Sequence, residues 1–264
     1  MFTLTHTYFL QKFLAATDFK NIEPDIYVYN IIPDLLTIHP QISPDKTHNI
    51  KRSLQIPVQY SRSAYVMFHL LVDDLSHYGY ICFDGHKKFD PNSQGYSYLK
   101  GKHLINSILD LYGMIEKNIS YEEAIYQSHL IIEMIFDLVI LNQINSLKTI
   151  DLLIDSINFT LSNKMDEFVA TINWLYKFGE DEIKEVMKKA SLSITKEGME
   201  GIMSISGRIN LYREKFGLKN SDQLFYERVR NLFQYARDLI DDDELFLLET
   251  AHTIKNYGWI PTFR

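Results

Sequence analysis

A single cysteine, Cys82, excludes an internal disulfide framework and any Cys-rich zinc module. Glycine and proline are sparse, 11 and 7 of 264 residues, too few for a turn-rich β-barrel. No apolar run reaches the roughly 20 uninterrupted residues of a membrane span. The best candidate, Leu130 to Leu141, is short and interrupted by Glu133 and Asp137. Positive charge is in deficit: 27 Lys and Arg against 34 Asp and Glu give a net −7, without the broad basic field that binds duplex nucleic acid. The start, Met1-Phe2-Thr3-Leu4-Thr5-His6, has no basic segment and no small-residue cleavage site, so a cytoplasmic location is expected.

What remains is a chain with 46% hydrophobic residues, many at helical spacing, and the expected fold is all-α: a multi-helix bundle with a metal site between helices and N-terminal loops. Helices are predicted over residues 4–17, 61–80, 102–117 and 121–142. Ser120 and Glu123 have capping-box spacing at the start of the last of these. Beyond residue 148 the pattern continues, for example Phe168, Ile172, Leu175 and Tyr176, with Gly179, Gly198, Gly217 and Gly258 as expected helix ends. Five of the seven prolines (Pro24, Pro33, Pro40, Pro44 and Pro57) fall in residues 18–60, which therefore reads as loops and short turns. A Gly- and Tyr-rich loop is expected from Phe83 to about Gly101. Eight of nine histidines lie in residues 1–129. The division is thus 1–145 as a metal-binding helical region and 146–264 as a helical extension packed on it.

The histidines fall into a pattern with the acids. On a helix, residues four apart differ by about 40° and about 6 Å of rise, so His69, Asp73 and His77 line one face. That spacing lets an imidazole and a carboxylate on successive turns converge on one cation. Asp74 lies about 100° further round and is expected to point to solvent or behind that face. The bland alternative is a buried His–Asp hydrogen bond on an ordinary helix. His129, Glu133 and Asp137 repeat the device, with only apolar residues between them. Buried carboxylates need cations or donors. A divalent ion would serve; so would an Arg or Lys from a distant segment, since no basic residue lies between Lys117 and Lys148. His6, Asp34 (after Pro33) and His48 add candidates from the expected loops. Helices 61–80 and 121–142 are expected side by side, sharing a cation between their stripes. Eight N and O donors without a thiol suit two or three Zn²⁺-like ions, and Mn²⁺ or Fe²⁺ would accept similar donors.

The order His6, Asp34, His48, His69-x-x-x-Asp73, His77, His129-x-x-x-Glu133 resembles the zinc-dependent phospholipase C and single-strand nuclease superfamily over about residues 5–135. The resemblance implies an all-helical phosphodiesterase with a trinuclear zinc cluster. It implies that Asp34, His48, His69 and Asp73 hold one metal, that His77, His129 and Glu133 hold a second, and that His6 with a bridging Asp73 touches a third. Asp34 is then the catalytic base or water-orienting group. Those secreted enzymes add an N-terminal tryptophan ligand, whereas Trp174 and Trp259 here are far along the chain.

The leading expectation is a metal-dependent phosphoester hydrolase, phospholipase C-like, acting on a small phosphorylated substrate or a phospholipid head group. The alternative is a non-catalytic helical binding or scaffold protein with a structural or vestigial metal site. No His-Asp dipeptide is present, as another class of helical phosphohydrolase requires, and the carboxylates follow histidine by four rather than in Glu-x-x-His order, as di-iron oxidases require. Tyr96 and Tyr98 could cap the site from their loop. Asp241-Asp242-Asp243-Glu244 reads as a solvated helix start, Lys184, Lys188 and Lys189 as a solvated face, and Cys82 as a small buried hydrophobe. His39, His86 and His103 fit no ligand spacing.

Overall fold

The computed structural model describes residues 3–17, 23–85, 90, 92–143, 146–218 and 222–259. His86 lies outside them. The described residues form helices and connecting turns, with no strand among them. In chain order the helices are α1 (Thr3–Ala15), α2 (Asp25–Leu35), α3 (Pro44–His48), α4 (Ser63–His77), α5 (Tyr96–Gly101), α6 (Ile105–Gly113) and α7 (Tyr121–Gln143). The second half contributes α8 (Ser146–Phe159), α9 (Met165–Tyr176), α10 (Glu180–Ser193), α11 (Lys196–Ile202), α12 (Ile205–Lys215), α13 (Gln223–Asp238) and α14 (Asp243–Asn256). A π-helical turn, Thr160–Lys164, joins α8 to α9.

Three helices form the interior. α2 is buried from Asp25 through Pro33, α4 from Tyr65 through Ser76, and α7 from Ile131 through Leu138. A helix apolar on every side must be covered on every side. The covering is done by helices with one apolar stripe: α13 buries Phe225, Val229, Leu232, Phe233 and Ala236, spaced by three or four, and presents polar residues outward. α8 packs on α1 and α2, α12 and α13 on α7, and α14 on α4, so the second half closes directly over the first. Among the described residues no helix is long and apolar enough to cross a membrane.

The proline-rich segment is where expectation and structure part. Residues 25–35 are a helix, not a loop, and 44–48 are another. Pro24 is the cap residue before α2 and Pro44 opens α3, positions where proline's missing N–H removes no helical bond and its fixed φ is already helical. Pro33 does sit inside α2, at a cost of about 3 kcal/mol. Burial of Ile26, Val28, Tyr29, Ile31 and Ile32, at about 1.5–3 kcal/mol each, outweighs it. Likewise α5 occupies the end of the expected Phe83–Gly101 loop. Of the four glycines, Gly217 (φ +61°) and Gly258 (φ +81°) follow helix ends. Gly179 instead precedes α10, because Lys177 supplies the left-handed residue after α9, and Gly198 lies in the first turn of α11, donating to Thr195 Oγ1. The start of α7 is capped as expected: Glu123 N–H donates to Ser120 Oγ at 3.0 Å.

Candidate metal centre

Four helices bring their polar residues to one point. α1 contributes His6, α2 contributes Asp34 from its last turn, α3 ends on His48, and α4 contributes His69 and Asp73. Asp34 and His48 are therefore held by helices, not by loops. His48 Nε2 and His69 Nε2 each lie 3.2 Å from Asp73 Oδ2 and 3.4 Å from each other. Asp34 Oδ1 is 3.7 Å from His48 Nε2 and 3.8 Å from His69 Nε2. The other oxygen of Asp73, Oδ1, faces His6 Nε2 at 3.1 Å, and the His6 and His69 rings stack with centroids 3.7 Å apart. Asp73 thus divides its two oxygens between His6 on one side and the His48–His69 pair on the other.

Donors about 2.0–2.1 Å from a tetrahedral centre lie about 3.3 Å from one another. The five separations among Asp34, His48, His69 and Asp73 run from 3.2 to 3.8 Å, and all four donors are of the N and O type that Zn²⁺ accepts. The residues fit a divalent ion. The His6–His69–Asp73 and Asp34–His48–His69 groups could each hold one.

A second group forms at the last turn of α4. His77 Nε2 lies 2.6 Å from Glu133 Oε1 of α7, and His129 joins them within 4.8 Å. α4 meets α7 here, through His77, with α5 packed against both helices. The His69–Asp73 pair is taken up by α1, α2 and α3, so the two stripes share a candidate cation site through His77 alone, which meets His129 and Glu133 of α7. Tyr98 of α5 stacks on His129 at 4.4 Å, and Tyr126 meets the same ring edge-on at 5.1 Å. Of the expected pair of tyrosines, only Tyr98 reaches this group. Tyr96 packs on Phe246 and donates to Asp242 Oδ1 at 2.7 Å.

All eight expected ligands thus gather in two adjoining groups. Three nearby acids have other partners. Asp74 is buried, not solvated: Arg52 grips both its oxygens, at 2.9 and 2.7 Å, and Cys82 N–H donates to it at 2.9 Å. Arg52 also donates to the His48 carbonyl at 3.0 Å, tying the end of α3 to α4. Asp137 is an ion-pair partner rather than a ligand: Arg208 of α12 lies 2.9 Å from Oδ2, and Thr5 donates N–H and Oγ1–H to Oδ1. Asp242 binds Tyr96 and Lys100, so the acidic run at the start of α14, largely solvated as expected, also clamps α5.

Burial sets the charge of these groups. It pushes the His69 imidazole down to about 4 and that of His129 down to about 3, so both are neutral near pH 7 with lone pairs available to a cation. Burial also opposes ionisation of Asp73 and Glu133, but nearby positive charge, together with the surrounding imidazoles, holds both below the usual carboxylate range. His48 Nδ1 donates to the Pro44 carbonyl at 3.0 Å, which leaves Nε2 as the inward lone pair. His6 and His69 have Nδ1 buried without a hydrogen-bond partner. The Asp34 side chain is 31% exposed, His77 17% and His48 12%, whereas His6 and His69 are fully buried. The Tyr176 phenol, buried without a partner, senses the charges of Asp34 and Arg52. Tyr176 showed in the sequence only as part of an apolar stripe, and Arg52 carried no periodic signal. His39 and His103 join neither group.

No family model matches the chain, and no curated protein or solved structure matches it either.

Proposed function

We propose that this protein is a metal-dependent phosphoester hydrolase of the phospholipase C-like type, with zinc as the resident ion and two or three ions per chain. The observation that carries the reading is the convergence of Asp34, His48 and Asp73 on His69 at 3.2 to 3.8 Å, with a second three-donor group one helical turn along α4. When bound, divalent ions at such a site lower the pKa of water and neutralise phosphoryl charge. The chain's own residues have distinct tasks. His48 keeps Nε2 inward through its bond to Pro44. Asp73 presents one oxygen to each side and links His6 to the other donors. Asp34 turns Oδ1 to the imidazoles and, as the most exposed member, leaves Oδ2 to accept the proton of an attacking water. The substrate is a small phosphorylated molecule or a phospholipid head group, approaching past Asp34, His48 and His77. A cytoplasmic location goes with this reading.

The test is elemental analysis of protein purified without a metal-binding tag, followed by assay on nucleotide, phospholipid and simple aryl phosphoesters with chelator, Zn²⁺ or Mn²⁺. Metal-dependent hydrolysis is expected. Asp34→Asn should lose about 100-fold or more in turnover while keeping most of its metal. Metal-loaded protein inactive across the whole panel would favour the scaffold reading instead, and full activity in Asp34→Asn would remove Asp34 from the mechanism.

A further inference from the structure

A metal-binding imidazole is ordinarily oriented by a hydrogen bond from its other ring nitrogen. For His129 such a bond is weak at best: its buried Nδ1 has the Tyr126 carbonyl one turn back along α7 as acceptor, without good hydrogen-bond geometry. Its ring is instead held flat against Tyr98, with an interplanar angle of 14°. Tyr98 also stands edge-on to His77, at 6.1 Å and 80°, so one side chain touches both imidazoles of the second group. We propose that Tyr98 is a positioning residue: its stacked ring face, rather than a hydrogen bond from Nδ1, fixes His129 for the metal. This rests on reading His77, His129 and Glu133 as metal ligands.

The backbone around Tyr98 is built for close approach. A Cβ on Gly95 would fall 2.0 Å from the His77 carbonyl carbon, so only glycine lets α5 start against the end of α4. A Cβ on Gly101 would come within 2.8 Å of Ser128 Oγ and 3.1 Å of the His129 nitrogen, so the other end of α5 is pressed onto α7 beside the ligand. The outer side of α5 is pinned by the segment before α14: Tyr96 donates to Asp242, and Lys100 lies 3.0 Å from Asp241 and 3.1 Å from Asp242. The second half of the chain therefore reaches the metal group through α5, and the tyrosine that does the positioning sits between two glycine contacts.

Tyr98→Leu and Tyr98→Phe separate the ring face from the phenol. The readouts are Zn²⁺ stoichiometry and affinity by chelator competition, and the visible spectrum of the Co²⁺-loaded protein, with His129→Ala in parallel. Tyr98→Leu should weaken one ion by about 10- to 100-fold, the ion that His129→Ala abolishes, and alter its Co²⁺ bands. Tyr98→Phe should stay close to the parent in both. Parent-like affinity in Tyr98→Leu, or an equal loss in Tyr98→Phe, overturns the proposal. If His129→Ala removes no ion from the parent, the ligand reading itself has failed; if it removes one that Tyr98→Leu keeps, only the positioning role has. Should Tyr98→Leu not fold, Gly101→Ala takes its place: it must weaken the same ion, and unchanged affinity there overturns the proposal equally.

Discussion

α4 and α7 each carry a histidine followed four residues later by an acid, and each carries one more acid nearby. The surplus acids meet the same fate: Asp74 is neutralised by Arg52 and Asp137 by Arg208, both pairs buried. The paired acids do not. Asp73 is surrounded by His6, His48 and His69, and Glu133 lies against His77 with His129 beside it. An arginine cannot lose its charge, so an acid bound to it is already balanced. A neutral imidazole, as burial makes His69 and His129, does not balance an acid as an arginine does, and under the proposed reading that difference assigns Asp73 and Glu133 to the metal. The two helices also differ in setting. Asp73 is met by imidazoles from α1 and α3 and by His69 of its own helix, whereas the α7 pair meets one imidazole from α4 and the face of Tyr98.

The strongest way to break the comparison is to remove an arginine. Arg208→Met leaves Asp137 buried with only Thr5, and should cost about 3–5 kcal/mol in denaturant unfolding. The metal content of the protein that remains folded should be unchanged. Arg208→Met with Asp137→Leu should recover most of the loss; a double variant as unstable as the single one would show that the ion pair is not the cause. Next in size, His129→Ala should lose one ion by elemental analysis and lower the melting temperature, because Glu133 keeps its burial and loses its counter-charge. Full metal retention with unchanged melting would assign Glu133 to a plain hydrogen bond with His77.

A third buried acid sharpens the contrast. Asp25 opens α2, and Arg62 lies 3.2 Å from its Oδ2 without the two-oxygen grip seen at Asp74. Burial raises its pKa from 3.8 to about 6 despite Arg62. A folded-state value above the unfolded one means that the group's contribution is fully present below pH 3.8 and is lost as pH rises through about 6. Above pH 6 the ionised form then costs on the order of 3 kcal/mol. Asp25→Asn should therefore be more stable than the parent at pH 8, with the gap closing toward pH 4. A gap independent of pH would mean that Arg62 balances Asp25 in full. The smallest effect is local to α7: Ser120→Ala removes the oxygen that caps Glu123 N–H and should cost about 1 kcal/mol in thermal unfolding, with no change in bound metal.

The helices and the ligand types were legible because both are local. Apolar spacing predicts α1, α4 and α7 within a few residues, and a histidine four residues before an acid shares its face whatever the rest of the chain does. The proline-rich segment misled for an equally local reason. A proline is compatible with a helix's first turn and hostile to its interior, and the spacing alone does not say which position Pro24, Pro33 or Pro44 occupies. Burial of the Ile26–Ile32 run decided it.

The sequence by itself determined an all-helical chain, the donor set without thiols, and the pairs His69–Asp73 and His129–Glu133, because helical periodicity needs no partner. Tertiary structure alone decided which acids take an arginine and which are left to histidine. Asp137 meets Arg208 across 71 positions and Asp74 meets Arg52 across 22, distances over which no local spacing operates. It also decided that Asp34 and His48 arrive on helices and that Tyr98 lies flat on His129. Each depends on how closely backbones approach, and that is set by packing at Gly95 and Gly101 and by the buried faces of α2, α4 and α7.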